Sequence, residues 1–244
     1  MNRTIIIIPS RMTASRLKGK PLLEINKLPI ICHVLNKAKE TGIESFVATE
    51  DKEIIDAVEK NGGQAILTGK HKTGSDRIFE AFLKLKKKNI DFILNLQGDE
   101  PNIDTTDIIN LNKFMIKNNS EIGTLAANIE DNKMHDNKNF VKVITQDNLT
   151  HKNFSLALNF TRNNLSKNYK NIYHHVGIYS YRVTALEKFV NLSQTKNEKE
   201  NRLEQLRALD NKMKINVVLA KSSPIGVDTE EDYLAIKKIM EYKS

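Results

Sequence analysis

The run Pro9-Ser10-Arg11-Met12-Thr13-Ala14-Ser15-Arg16-Leu17-Lys18-Gly19-Lys20-Pro21 gathers four cations, three hydroxyls and a glycine in one short stretch. Backbone amides and fixed cations in such a loop can hold a triphosphate, as fixed positive groups do in phosphoryl and nucleotidyl transfer. It is not a Walker loop, because Ala14 stands where the first glycine belongs and Pro21 where a magnesium-binding hydroxyl belongs. The plainer alternative is a charged surface loop.

A second set is acidic. Asn95-Leu96-Gln97-Gly98-Asp99-Glu100-Pro101 presents paired carboxylates, and Asp228 follows Gly226 just before a helical pattern. Oxygen ligands suit Mg²⁺, which takes one or two carboxylates and completes its shell with water and phosphate. Asp99 read plainly is a turn residue before Pro101, and Asp228 read plainly is a helix-start aspartate favoured by the dipole. His71-Lys72-Thr73-Gly74-Ser75-Asp76-Arg77 offers hydroxyl, amide and guanidinium groups to a base or sugar; Ser75 or Asp76 can equally cap the helix that follows. His174 and His175 share a strand-like stretch with Tyr179 and Tyr181 but lack the Cys or third spaced His of a zinc site. Cys32 lies in an apolar helical stripe and reads as a small core residue.

These groups need elements to position them. Ile5-Ile6-Ile7-Ile8, closed by Pro9, suits a central strand buried on both faces. Helical spacing then recurs at Ile31, Val34, Leu35 and Ala38, stopping near Gly42, and again at Ile54, Ile55 and Val58, at Ile78, Phe82 and Leu85, and at Ile108, Leu111 and Met115. Strand-like stretches at 46–49, 65–67 and 92–96 alternate with them. That alternation predicts a mostly parallel sheet with helices on both faces, in which the cationic loop and Asp99 leave the same, ligand-binding edge. Past residue 120 the strand-like pieces at 122–129, 140–145, 155–160 and 173–181 predict a mixed or antiparallel lobe. A helical pattern follows at 198–209, a strand at 215–220, and a closing helix capped by Thr229 with Asp232 three residues on.

Composition bounds the rest. The 244 residues are 39% hydrophobic and 28% charged, with one cysteine, which predicts a soluble globular chain of one domain. The longest aliphatic run, Ile5 to Ile8, is far short of the roughly 18 residues of a membrane span or the roughly 7 of a signal-peptide core. With Cys32 unable to form an internal disulfide, the expected location is cytoplasmic, without membrane insertion. The net charge of +8 rests on 30 Lys against 8 Arg, a lysine-rich surface rather than the arginine forks of nucleic-acid readout, so no nucleic-acid partner is expected.

Taken together in order, Ile8-Pro9-Ser10-Arg11, Ser15-Arg16-Leu17, Gly19-Lys20-Pro21-Leu22, Gly74-Ser75-Asp76-Arg77, Gln97-Gly98-Asp99-Glu100-Pro101, His175-Val176-Gly177-Ile178-Tyr179, Leu203-Glu204-Gln205-Leu206-Arg207 and Gly226-Val227-Asp228-Thr229 closely resemble the 3-deoxy-manno-octulosonate cytidylyltransferase (CMP-KDO synthetase) family, from residue 5 to about 240. The resemblance implies a nucleotide-diphospho-sugar-transferase-like, Rossmann-like α/β fold. It implies a Mg²⁺-dependent transfer of CMP from CTP to the eight-carbon acid KDO, releasing pyrophosphate, in lipopolysaccharide synthesis, by a homodimer.

By position, Arg11, Lys20, Asp99 and Asp228 would be catalytic, with Asp99 and Asp228 as metal ligands. Ser15, Arg16, Ser75, Arg77 and Gln97 would bind CTP, and His175, Tyr179, Glu204 and Gln205 the sugar. The resemblance also divides the single domain into a CTP half at about 1–118, a sugar-binding and dimerisation lobe at about 120–224, and a returning segment at 225–244. Departures fall mainly on the sugar side: Lys18 replaces a usual proline, His174 a longer basic residue, and Asn159-Phe160-Thr161-Arg162 varies a Tyr-Phe-Ser-Arg pattern. The alternatives are a CMP-sugar synthetase for another 2-keto acid such as sialic acid, and a non-catalytic basic binding protein.

Overall fold

A computed structural model describes residues 3–13, 17–129, 140–163, 170–221 and 223–242. The chain forms two compact units, one of residues 1–108 with 224–244 and one of residues 109–223.

The first unit is built on β1 (Thr4–Pro9). It pairs in parallel with β4 (Ser45–Thr49) on one side and β6 (Phe92–Asn95) on the other, and β4 pairs in parallel with β5 (Ala65–Leu67). All four isoleucines of β1 are fully buried, which accounts for the absence of alternation in that strand: both faces are covered, so both must be apolar. Helices α1 (Ile30–Glu40), α2 (Lys52–Lys60) and α3 (Gly74–Leu85) make the crossovers. Of their predicted stripes, Ile31, Val34, Ile54, Val58 and Ile78 are at zero exposure, while Ile55, Phe82 and Leu85 are only partly buried. Between β1 and α1 the chain makes a 3-10 turn (Lys20–Leu22) and a short hairpin of β2 (Glu24–Ile25) and β3 (Leu28–Pro29), neither of which periodicity reveals. The returning helix α8 (Glu230–Glu241) packs Ile236, Tyr233 and Met240 onto Ile25, Ile30 and Val227. Its capping box is the predicted one, Thr229 with Asp232.

Helix α4 (Thr105–Asn118) leads into the second unit. There β7 (Ile122–Ala127) lies between β10 (Ile172–Arg182), antiparallel to it, and β11 (Ile215–Leu219), parallel to it. Next come β9 (Ser155–Thr161), antiparallel to β11, and β8 (Lys142–Thr145), antiparallel to β9. Strand β8 also pairs with β10, so these five strands close on themselves, a mixed ring without a free edge. The predicted helical run at 198–209 is instead two short helices, α6 (Lys196–Asn201) and α7 (Leu206–Asp210), after α5 (Val183–Val190). Arg202 ends α6 in the left-handed region at φ 52°, so Glu204 sits in the turn and Gln205 at the N-cap of α7.

Candidate active site

In the first unit the sheet's carboxyl edge opens into a cleft of about 440 Å³ lined by Ser10, Arg11, Thr13, Lys20, Gly74, Arg77, Gln97, Asp99 and Asp228, among others. That volume is in the range of small-molecule sites. The local chain explains how the charged groups meet. Gly19 holds φ 68°, a conformation that suits glycine, and starts the 3-10 turn that carries Lys20. Gly98 packs so tightly that an added Cβ would stand 2.9 Å from the Pro9 carbonyl, which keeps the Asp99 turn close against the end of β1. Far along the chain, the amide of Val227 donates to the carbonyl of Asp99 at 2.9 Å and that of Ile225 to Asn102 at 3.2 Å, docking the returning segment there.

The result is a convergence on one ammonium. Lys20 Nζ donates to Asp99 Oδ2 at 2.6 Å and to Asp228 Oδ1 at 3.3 Å. Burial pulls the Lys20 pKa down, but the two carboxylates outweigh it and the net shift is upward. Beside them, Glu100 Oε2 is sealed from solvent without a hydrogen-bond partner. Burial, reinforced by the Asp99 and Asp228 charges and opposed by Lys20, pushes its carboxyl up to about 8. Two hard carboxylate oxygens facing one cation are the donor set a divalent metal takes, so Asp99 and Asp228 fit that role.

The remaining first-unit residues divide. Arg11 and Gln97 line the cleft. Arg77 lines it too, but its guanidinium is buried and donates to Thr68 Oγ1 at 2.7 Å, to the Gly69 carbonyl at 3.3 Å and to Glu50 at 3.3 Å. Ser75 is buried and absent from the cleft lining, while Gly74 beside it is present. The cap of α3 is neither Ser75 nor Asp76 but Thr73, whose hydroxyl accepts from the Asp76 amide at 3.2 Å. Ser15 and Arg16 lie outside the described residues.

In the second unit His175 and Tyr179 face each other across a bulge in β10, ring centroids 5.4 Å apart. The Thr124 hydroxyl donates to the Ile178 carbonyl at 2.7 Å and meets His175 Nε2 at 3.0 Å. With the Thr124 proton committed to the carbonyl, Nε2 carries the imidazole's hydrogen and Nδ1 is left as an acceptor. Burial, helped by the charges of His174 and Arg162, pushes the His175 pKa down to about 3. Tyr179 is buried, and its pKa is raised well above the ordinary value by that burial, then by Tyr181 and Glu204. Glu204 lies 3.6 Å from the Arg207 guanidinium, which is buried in a two-pronged pair with Glu198 at 2.6 and 2.9 Å and stacks on Phe189 at 4.8 Å. That network, with the Thr195–Glu198 capping box, holds the turn bearing Glu204 and the buried Gln205.

With this geometry in view, residues 5–215 match the protein family described as cytidylyltransferase. A 3-deoxy-manno-octulosonate cytidylyltransferase of Afipia carboxidovorans is 44% identical over 97% of this chain and 96% of its own length. One of Nitrobacter winogradskyi is 42% identical over 98% and 94%. Among solved structures, a CMP:2-keto-3-deoxy-manno-octonic acid synthetase complexed with CTP superposes with a TM-score of 0.90 at 33% identity, covering 100% of both chains.

Proposed function

The chain belongs to the cytidylyltransferase family, and from that premise we infer that it is the nucleotidyltransferase that transfers CMP from CTP to KDO. The reaction releases pyrophosphate and activates KDO for lipopolysaccharide synthesis. One observation carries the catalytic assignment: Lys20, Asp99 and Asp228, distant in sequence, meet at one point inside the cleft. The KDO anomeric oxygen forms a bond to the α-phosphorus, the bond from that phosphorus to the bridging oxygen breaks, and the hydroxyl proton leaves to solvent. The chain's part is positioning and electrostatics. Arg11 and Lys20 hold the phosphates and offset the charge that grows on pyrophosphate, and Gln97 with the Gly74–Arg77 turn bounds the nucleoside. His175, Tyr179, Glu204 and Gln205 grip the sugar acid with one charged and several neutral hydrogen-bonding groups.

Asp99 and Asp228 would hold Mg²⁺, which when bound supplies positive charge at the reacting phosphate. Mg²⁺ as the metal and a homodimer rest on the sequence resemblance, and a cytoplasmic location on the composition; among the described residues no helix is long and apolar enough to cross a membrane.

Pyrophosphate release with CTP, UTP, ATP or GTP against a panel of 2-keto acids tests this reading. Turnover is expected with CTP and KDO and little with purine nucleotides, since a site built around the pyrimidine's polar edge rejects a mismatch by leaving groups unpaired. Preference for sialic acid over KDO would move the chain to another CMP-sugar synthetase. No release with any pair would leave the basic binding protein.

A further inference from the structure

The carboxyl end of β4 runs into Glu50-Asp51, two residues outside every motif above and outside the cleft lining. Asp51 occupies the N-cap position of α2 with extended backbone, φ −101° and ψ 121°. An aspartate there ordinarily turns its carboxylate onto the free amides of its own first helical turn. This one makes no such bond. Its Oδ2 instead accepts from the backbone amide of Met12 at 2.7 Å, across the cleft edge from the helix it begins. The Asp51 amide is itself fixed to Thr49 Oγ1 at 3.1 Å, so the carboxylate projects from a rigid strand end. Met12 lies between Arg11 and Thr13, both of which line the cleft. The neighbouring Glu50 carboxylate accepts from the guanidinium of Arg77, another lining residue, at 3.3 Å.

We propose that Asp51 is a positioning residue for the loop that receives the CTP phosphates. It gives up capping α2 to clamp the Met12 amide, and so sets Arg11 and Thr13 toward the cleft. An N–H to carboxylate bond is short and strong enough to hold the loop segment that carries Arg11. The inference rests on the cleft being the CTP site.

Asp51→Ser separates the two roles, because serine is a competent N-cap but its shorter side chain cannot reach Met12. The expected result is a thermal midpoint at or above wild type, a KM for CTP raised about tenfold, as the loss of one charge-assisted hydrogen bond allows, and an unchanged KM for KDO. Asp51→Asn keeps an acceptor oxygen in place and should restore the CTP constant to within roughly threefold of wild type on the same scale. A wild-type CTP constant in Asp51→Ser, an equal rise in both constants, or failure of that variant to fold would each overturn the clamp. Calorimetric titration of wild-type protein with CTP is run first: no binding there sinks the reading of the cleft, whereas wild-type binding matched by Asp51→Ser sinks only the clamp.

Discussion

In the first unit Lys20 stands 2.6 Å from Asp99 and 3.3 Å from Asp228, full charges held against full charges in a cleft open to water. In the second unit His175 and Tyr179 are buried and driven toward their neutral forms, His175 to about 3 and Tyr179 above its ordinary value. On the proposed function the difference follows from the two substrates. A triphosphate is a dense polyanion whose charge rearranges during reaction, so fixed cations and a metal act on it directly. A sugar acid is mostly hydroxyls, and buried neutral donors and acceptors would distinguish them by what is left unpaired.

The comparison breaks first at the carboxylates. Asp99→Asn and Asp228→Asn are each expected to lower kcat by at least about 100-fold, the scale on which single preorganised charges act. The thermal midpoint should move little, because Asn retains a hydrogen-bond acceptor for Lys20 Nζ. Asp228, whose side chain is about half exposed, should disturb the fold less than Asp99 at 28%. Stopped assays of pyrophosphate beside thermal melts check both. Near wild-type turnover in either variant would remove that residue from the metal site, and loss of folding would make it a structural ion-pair partner.

The second unit answers differently to truncation. Gln205→Ala is expected to raise the KM for KDO about tenfold, the cost of roughly one lost hydrogen bond, and to leave the KM for CTP unchanged. Steady-state kinetics with each substrate varied in turn reads this. Equal rises in both constants would mean that the turn between α6 and α7 distorts generally, and no change would remove Gln205 from the pocket.

The two units also differ in what the sequence reveals. In the first, β-branched runs and 3.6-residue stripes are local signals, and Ile5–Ile8, Ile54–Val58 and the Thr229 box stand where those signals place them. The edge at which Lys20, Asp99 and Asp228 meet was legible because strand ends of a parallel sheet collect polar groups at one side. In the second, the decisive features are not local. Closure of β8 onto β10 joins residues 142–144 to 172–174 and leaves no mark on periodicity. The left-handed Arg202 that breaks the run at 198–209 is a residue type with no preference for that conformation, so Glu204 and Gln205 share no helix. What Arg77 and Asp51 hold could not be read from the sequence for a related reason: a side chain's partner, and not its type, decides which groups it fixes.

The smallest effect belongs to the neutral histidine and sharpens the contrast most. His175 in the folded protein has its pKa at about 3, below the ordinary value of roughly 6.5. Between those values the unfolded chain takes up a proton that the folded chain refuses, so the contribution from keeping this ring neutral is complete above roughly pH 6.5 and falls as pH drops toward about 3. The slope is at most about 1.4 kcal/mol per pH unit, so going from pH 6.5 to 5.5 costs roughly 1 kcal/mol, a fall of about 2–4 °C in a chain of this size. His174, also depressed, to about 4, by burial and by Lys142, adds a similar acid-side loss but is present in any His175 variant. His175→Gln keeps a donor for Thr124 and removes the titration. Melting curves from pH 7.5 to 5 should therefore show a shallower acid limb for the variant by about that amount, with the two proteins' slopes alike above pH 7. Identical acid limbs would mean that His175 takes its proton in the folded state, and its surroundings would then be a charged site like the first.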